Sequence, residues 1–134
     1  MNSIIGKAGE DFAVKFLEKR GYKVLSRNYH REAGGLRLAE IDIIAQAKRS
    51  TMDRFLGRPA VTVFVEVKAG RSENPEFSPE VRVNTQKRGK IARLAEAWLA
   101  EHGVPLESPW RIDVVSLINP QNGPNCQVEH FQNV

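Results

Sequence analysis

The chain has 134 residues, 41% of them hydrophobic and 27% charged, the size and composition of one globular domain, 1–134, built on one core. No apolar stretch approaches the roughly 20 residues that a membrane-spanning helix needs, and Met1 to Lys7 contain no signal-peptide h-region, so the expected location is cytoplasmic, away from any membrane. The single cysteine, Cys126, excludes an internal disulfide or a cysteine-built zinc site, and the net charge of +4 suits an anionic partner such as nucleic acid.

Ser3 to about Arg20 reads as a first helix, because Ile5, Gly9, Phe12, Ala13, Phe16 and Leu17 recur at helical spacing and Gly21 follows as a stop. Tyr22 to Asn28 reads as a strand. After the Gly34–Gly35 turn, Leu36 to Ala47 reads as a second. Lys48 to Pro59 is polar and reads as a mobile hairpin loop. Val61 to Ala69, rich in β-branched residues, is the central strand. A loop from Gly70 to Pro79 leads to a second helix, beginning at Val81 or Thr85 and ending near Glu101. Trp110 to Ile118 is a fourth strand, and Cys126 to Phe131 a fifth at an edge. The order α-β-β-β-α-β-(β) implies an α/β fold, a mixed sheet flanked by helices.

Two apolar strands are interrupted by charges. In Val61-Thr62-Val63-Phe64-Val65-Glu66-Val67-Lys68 a carboxylate and an ammonium stand two residues apart, on one face of the strand. Glu40-Ile41-Asp42 interrupts the preceding strand. Buried charges are costly unless paired or bound to a metal. If these two strands form a hairpin, Asp42 lies close to Glu66, and two converging carboxylates suit Mg²⁺, with Mn²⁺ as the alternative. Lys68 would then orient an attacking water or neutralise a phosphate. The plainer reading is an ion-pair network on a solvated face; the joint placement of the three in apolar strands favours chemistry.

Glu10 lies on the edge of the first helix's apolar stripe, three and seven residues before Ala13 and Leu17, where it either faces the sheet or answers the helix dipole. Lys87 continues the stripe formed by Ile91, Leu94 and Trp98. Lys87, Lys90 and Arg71, together with Arg82, are candidates for phosphate contacts. Arg88 and Arg93 read as solvated. The three histidines show no metal spacing, Cys126 reads as a small buried thiol, Trp98 reads as core, and Tyr29 is open between core and base stacking.

Gly9-Glu10, Gly21-Tyr22, Arg27-Asn28-Tyr29, Glu40-Ile41-Asp42-Ile43-Ile44-Ala45, Val63 to Lys68, Lys87 and Arg111-Ile112-Asp113-Val114-Val115 occur in an order that resembles the YraN-like uncharacterised bacterial family, over about residues 4 to 118. The lone Asp followed by Glu-Val-Lys is similar to the PD-(D/E)xK nuclease superfamily, which includes restriction endonucleases and Holliday-junction resolvases. The chain departs from the family pattern at Ala39, where glycine is usual, and at Ala69-Gly70, which delay the basic Arg71.

The resemblance implies a restriction-endonuclease-like fold, with Asp42 and Glu66 as metal ligands, Lys68 as the motif lysine, and Glu10 and Lys87 as helix-borne additions. The function expected is metal-dependent hydrolysis of phosphodiester bonds in DNA or a structured nucleic acid. Cutting both strands would require a homodimer. Two alternatives stand beside it: a non-catalytic nucleic-acid-binding module on the same fold, and a protein-interaction domain whose basic face meets an acidic partner.

Overall fold

The computed structural model describes residues 3–33, 35–73 and 85–134. Arg82, the Val81 alternative for the second helix's start and most of the Gly70–Pro79 loop lie outside these residues. The elements run α1 (Ser3–Lys19), β1 (Lys23–Ala33), β2 (Leu36–Gln46), α2 (Thr51–Phe55), β3 (Thr62–Gly70), α3 (Thr85–Glu101), β4 (Trp110–Ile118), a 3₁₀ turn (Pro120–Asn125) and β5 (Gln127–Phe131). The five strands form one mixed sheet in the order β1-β2-β3-β4-β5, with β3 and β4 parallel and every other neighbouring pair antiparallel.

Helix α1 ends in a Schellman motif. Tyr22 N–H donates to Leu17 O and Gly21 N–H to Glu18 O, each at 3.0 Å, with Gly21 at φ 88°. Only glycine suits this position: a Cβ would add left-handed strain and approach the Lys48 side chain to 2.8 Å. The Lys48 to Pro59 connection, expected as a mobile loop, instead carries α2. Its start is a capping box in which Ser50 and Asp53 exchange side-chain and backbone hydrogen bonds.

Each face of the sheet is covered by one long helix. On one, Ala13 and Leu17 of α1 pack on Ile43, Ala45, Val63, Val65, Val115 and Leu117. On the other, Ile91, Leu94, Ala95, Trp98 and Leu99 of α3 pack on Ile41, Ile44, Phe64 and Ile112. Phe64 meets Trp98 and Trp110 edge-on, with ring centroids at 6.0 and 5.8 Å. Trp98 is therefore core, and Tyr29 packs beside it with its hydroxyl donating to Glu101 at 3.1 Å.

The β1–β2 hairpin breaks the alternation that regular strands keep. Ile43 faces α1 but Ile41, two residues away, belongs to the cluster under α3. Likewise Arg27 reaches Asp11 on α1 at 2.8 Å, while Tyr29 and Arg31 both reach Glu101 at the end of α3. The residue between them, Asn28, has φ 55°, and its neighbours pair as Arg27↔Ile43 and Tyr29↔Ile41, so Asn28 stands opposite Asp42. A left-handed residue within both strands' register cranks the hairpin, and its distal half swings onto α3. Strand β1 therefore does not end at Asn28, as its sequence suggests; it continues for five residues beyond that crank, to Ala33.

Candidate functional site

The β2–β3 ladder runs from Gln46↔Thr62 to Ile43↔Val65 and stops one residue short of Asp42 and Glu66. Beyond it the strands fork. The Val67 N–H donates to Asp42 Oδ2 at 2.8 Å, so a carboxylate takes a donor that a continued ladder would have satisfied with backbone. Asp42 is thereby fixed in the gap between the strands, at the crank opposite Asn28.

Three further carboxylates lie near enough for their charges to act on it. Glu10 approaches from α1, Glu66 from β3 and Glu40 from two residues back on β2. Burial pushes the Asp42 carboxyl up to about 7 from the ordinary 3.8; the Val67 N–H opposes this, and the charges of Glu10, Glu66 and Glu40 push it further up. Asn28 ties two of the three together. With its amide nitrogen turned toward them, it lies 3.1 Å from Glu40 Oε1 and 3.1 Å from both Glu10 carboxylate oxygens. Arg27 lies 3.6 Å from Glu10 and closer to Asp11.

The cations approach from the α3 side. Lys87 Nζ forms an ion pair with Glu66 Oε1. Lys68 is half-buried on the same strand face as Glu66, and stands in register with Ser116 of β4. Ser116 is fully buried, and its Oγ has no hydrogen-bond partner among the described residues.

The fork thus brings Glu10, Asp42, Glu66 and Lys87 together, with Lys68 one pleat on. Arg71 and Lys90 stand apart. Arg71 is exposed just past the end of β3, and five residues of strand put it roughly 16 Å along from Glu66. Lys90 is exposed one turn beyond Lys87 on α3. Asn28 and Glu40 have no site role on sequence grounds, yet both adjoin Asp42 here. The signal for Glu40 was its two-residue spacing from Asp42; the signal for Asn28 was an αL-tolerant residue inside a strand-like run.

Asp42 and Glu66 offer hard oxygen donors in a partly desolvated gap already crowded with negative charge, which suits Mg²⁺ or Mn²⁺. Among the described residues no three Asp, Glu, His or Cys side chains form a ready-made cage, so the protein would provide one or two ligands and leave the rest to water or phosphate.

A second polar cluster is structural. Asp113, with no exposed surface, accepts from Arg111 Nε at 3.0 Å, from His130 at 2.8 Å and from the Asn133 N–H at 3.0 Å, while Arg111 also donates to the Tyr22 hydroxyl. Burial alone would raise this carboxyl, but the bonds from His130, Asn133 and Arg111 outweigh it and hold Asp113 below the ordinary value. This network fastens β5 and the C-terminus to β4. Cys126 is half-buried, and burial pushes its thiol up, away from the reactive thiolate.

No helix among the described residues is long and apolar enough to cross a membrane. The model of the uncharacterised protein family UPF0102 matches residues 9–117. Relatives bearing the name UPF0102 protein include one from Roseiflexus castenholzii, 36% identical over 127 residues that cover 95% of this chain and 89% of the relative. Another, from Streptomyces griseus, is 36% identical over 130 residues, covering 97% and 94%. A third, from Dictyoglomus thermophilum, is 34% identical over 133 residues, covering 98% and 97%. With matches of this extent along nearly its whole length, the chain belongs to the uncharacterised protein family UPF0102.

Proposed function

We propose that the fork is the site of a divalent-metal-dependent nuclease of the PD-(D/E)xK type, hydrolysing phosphodiester bonds in nucleic acid, DNA foremost, in the cytoplasm. The observation that carries this reading is Asp42: a carboxylate in a strand fork, pushed up to about 7, with Glu10, Glu40 and Glu66 around it and a lysine pair beside it. The charges of Glu10, Glu40 and Glu66 all act on the one carboxyl of Asp42, a placement that suits a bound cation.

In this reading Asp42 and Glu66 hold Mg²⁺ or Mn²⁺. When bound, the ion acidifies the attacking water and offsets charge on the phosphate. Lys68 holds that water against the phosphate, and Glu10, fixed by Asn28, orients the water's protons. Lys87, which pairs with Glu66, would contact the phosphate where Glu66 serves as a ligand. A monomer cuts one strand, and cutting both requires a second copy.

The test is incubation of end-labelled single-stranded, duplex and branched DNA with the protein in Mg²⁺, Mn²⁺ or EDTA. Product is expected only with metal. It should fall at least about a hundredfold in Asp42→Ala and Glu66→Ala, the scale of losing a group that acts on the transition state; undiminished cleavage by both variants sinks the reading. A second reading, a non-cleaving nucleic-acid-binding module, draws on the Lys87–Glu66 ion pair, which neutralises one of the two ligands. Salt-sensitive binding with no metal-dependent product would select it.

A further inference from the structure

A groove of about 290 Å³ opens between the distal half of the β1–β2 hairpin and α3. Arg31 and Glu32 of β1, Ala39 of β2, and Lys90, Arg93, Leu94 and Ala97 of α3 line it. Its floor is apolar and its rim carries three cations. Arg31 pairs with Glu101 at 3.2 Å, whereas Lys90 and Arg93 are exposed and meet no carboxylate among the described residues. The crank at Asn28 creates this groove, because only after it does the hairpin lean onto α3.

The groove and the fork share two elements, β2 and α3. Lys87 and Lys90 are one turn apart on α3, and Leu94 lies one further turn along, on the order of 10 Å from Lys87 by helical rise. On the other wall, Ala39 is three residues from Asp42, again roughly 10 Å along the strand. Both walls therefore lead from the carboxylates to the groove floor over the same short distance.

We infer that this groove seats one unpaired nucleotide of the strand being cut, its base against Ala39, Leu94 and Ala97 and its phosphates against Lys90 and Arg93. The inference rests on the nuclease reading of the fork and adds a substrate class to it: single-stranded, flapped or branched nucleic acid with an unpaired nucleotide beside the cut. Three things favour this occupant. The volume is at the small end of ligand sites, about 300 Å³, enough for one nucleotide and too small for a base pair flanked by its neighbours. The floor offers an apolar surface to a base face. Lys90 and Arg93, which meet no carboxylate among the described residues, offer charge to the backbone, and they lie on the same helix as Lys87.

The experiment measures binding by fluorescence anisotropy in EDTA, so that nothing is cut, with a blunt duplex and with the same duplex bearing a single-stranded flap. The wild type is expected to bind the flap roughly tenfold more tightly, within what one stacked base contributes. Ala97→Trp fills the floor without removing a charge and should reduce the ratio to about one, leaving duplex affinity unchanged. Arg93→Glu changes an exposed side chain, spares the core, and should weaken flap binding more than duplex binding. Equal affinity of the wild type for both DNAs, or a ratio that both variants preserve, overturns the groove assignment. If the wild type binds them equally yet still cuts DNA in Mg²⁺, the groove assignment falls and the nuclease reading stands. If it binds neither DNA at low salt, both fall.

Discussion

Asp42→Asn is the substitution whose consequence the structure fixes most closely. Asparagine keeps an oxygen for the Val67 N–H and removes the charge that Glu10, Glu40 and Glu66 oppose. The wild-type carboxyl stands at about 7 in the folded protein against 3.8 when solvated. The folded state therefore holds a proton that the unfolded chain releases, and stability falls as pH rises from about 4 to about 7. At ~1.4 kcal/mol per pH unit the whole window corresponds to about 4 kcal/mol, of which about 3 kcal/mol lies between pH 5 and pH 8.5. The amide of the Asp42→Asn variant does not titrate, so the variant escapes this loss.

The assay is urea unfolding of both proteins at pH 5 and pH 8.5, followed by tryptophan fluorescence, Trp98 being buried in the α3-side core. The variant should gain about 3 kcal/mol on the wild type between the two pH values, a large fraction of the 5–15 kcal/mol typical of a domain. Adding Mg²⁺ at pH 8.5 should return stability to the wild type alone. Parallel pH profiles for the two proteins would refute the claim that Asp42 is a desolvated, mutually repelled carboxylate.

Other expectations follow from single residues. Asn28→Ala should destabilise by about 1 kcal/mol more than Asn28→Gly, because glycine accepts φ 55° and alanine does not; equal losses in urea unfolding would refute the left-handed crank. Ser116→Ala removes a buried hydroxyl without a described partner, so it should leave stability unchanged or raise it by about 1 kcal/mol, and a clear loss would reveal a bond that the orphan assignment denies. His130→Ala takes a donor from the buried Asp113 carboxylate and should cost about 2 kcal/mol at pH 7, with faster amide exchange in β5; an unchanged midpoint would show that Arg111 and Asn133 suffice.

Much of the fold was legible because its strands and helices bury strong patterns. Trp110–Ile118 was read at its observed bounds, and β2 and α3 to within a residue at the ends the structure describes. The charges inside β2 and β3 led directly to Asp42 and Glu66, since apolar strands rarely accept carboxylates without a reason. What escaped depends on backbone conformation rather than pattern. Asn28 looked like the end of β1 because asparagine commonly stops strands; here its left-handed φ turns the hairpin and continues it. Asn28 and Glu40 enter the site only through that turn. Helix α2 was missed because it buries no side chain and so lacks a periodic apolar face, although the Ser50–Asp53 capping box was present in the sequence.

Whether the fork carboxylates hold a divalent cation is decided by electron paramagnetic resonance of Mn²⁺. The wild type and Asp42→Asn would each be titrated with and without a flapped DNA in the absence of Mg²⁺. One tightly held Mn²⁺ is expected per wild-type chain, strengthened by the DNA, and none in Asp42→Asn. Equal Mn²⁺ binding by both proteins, or none by the wild type even with DNA bound, would contradict the metal-dependent reading of the fork.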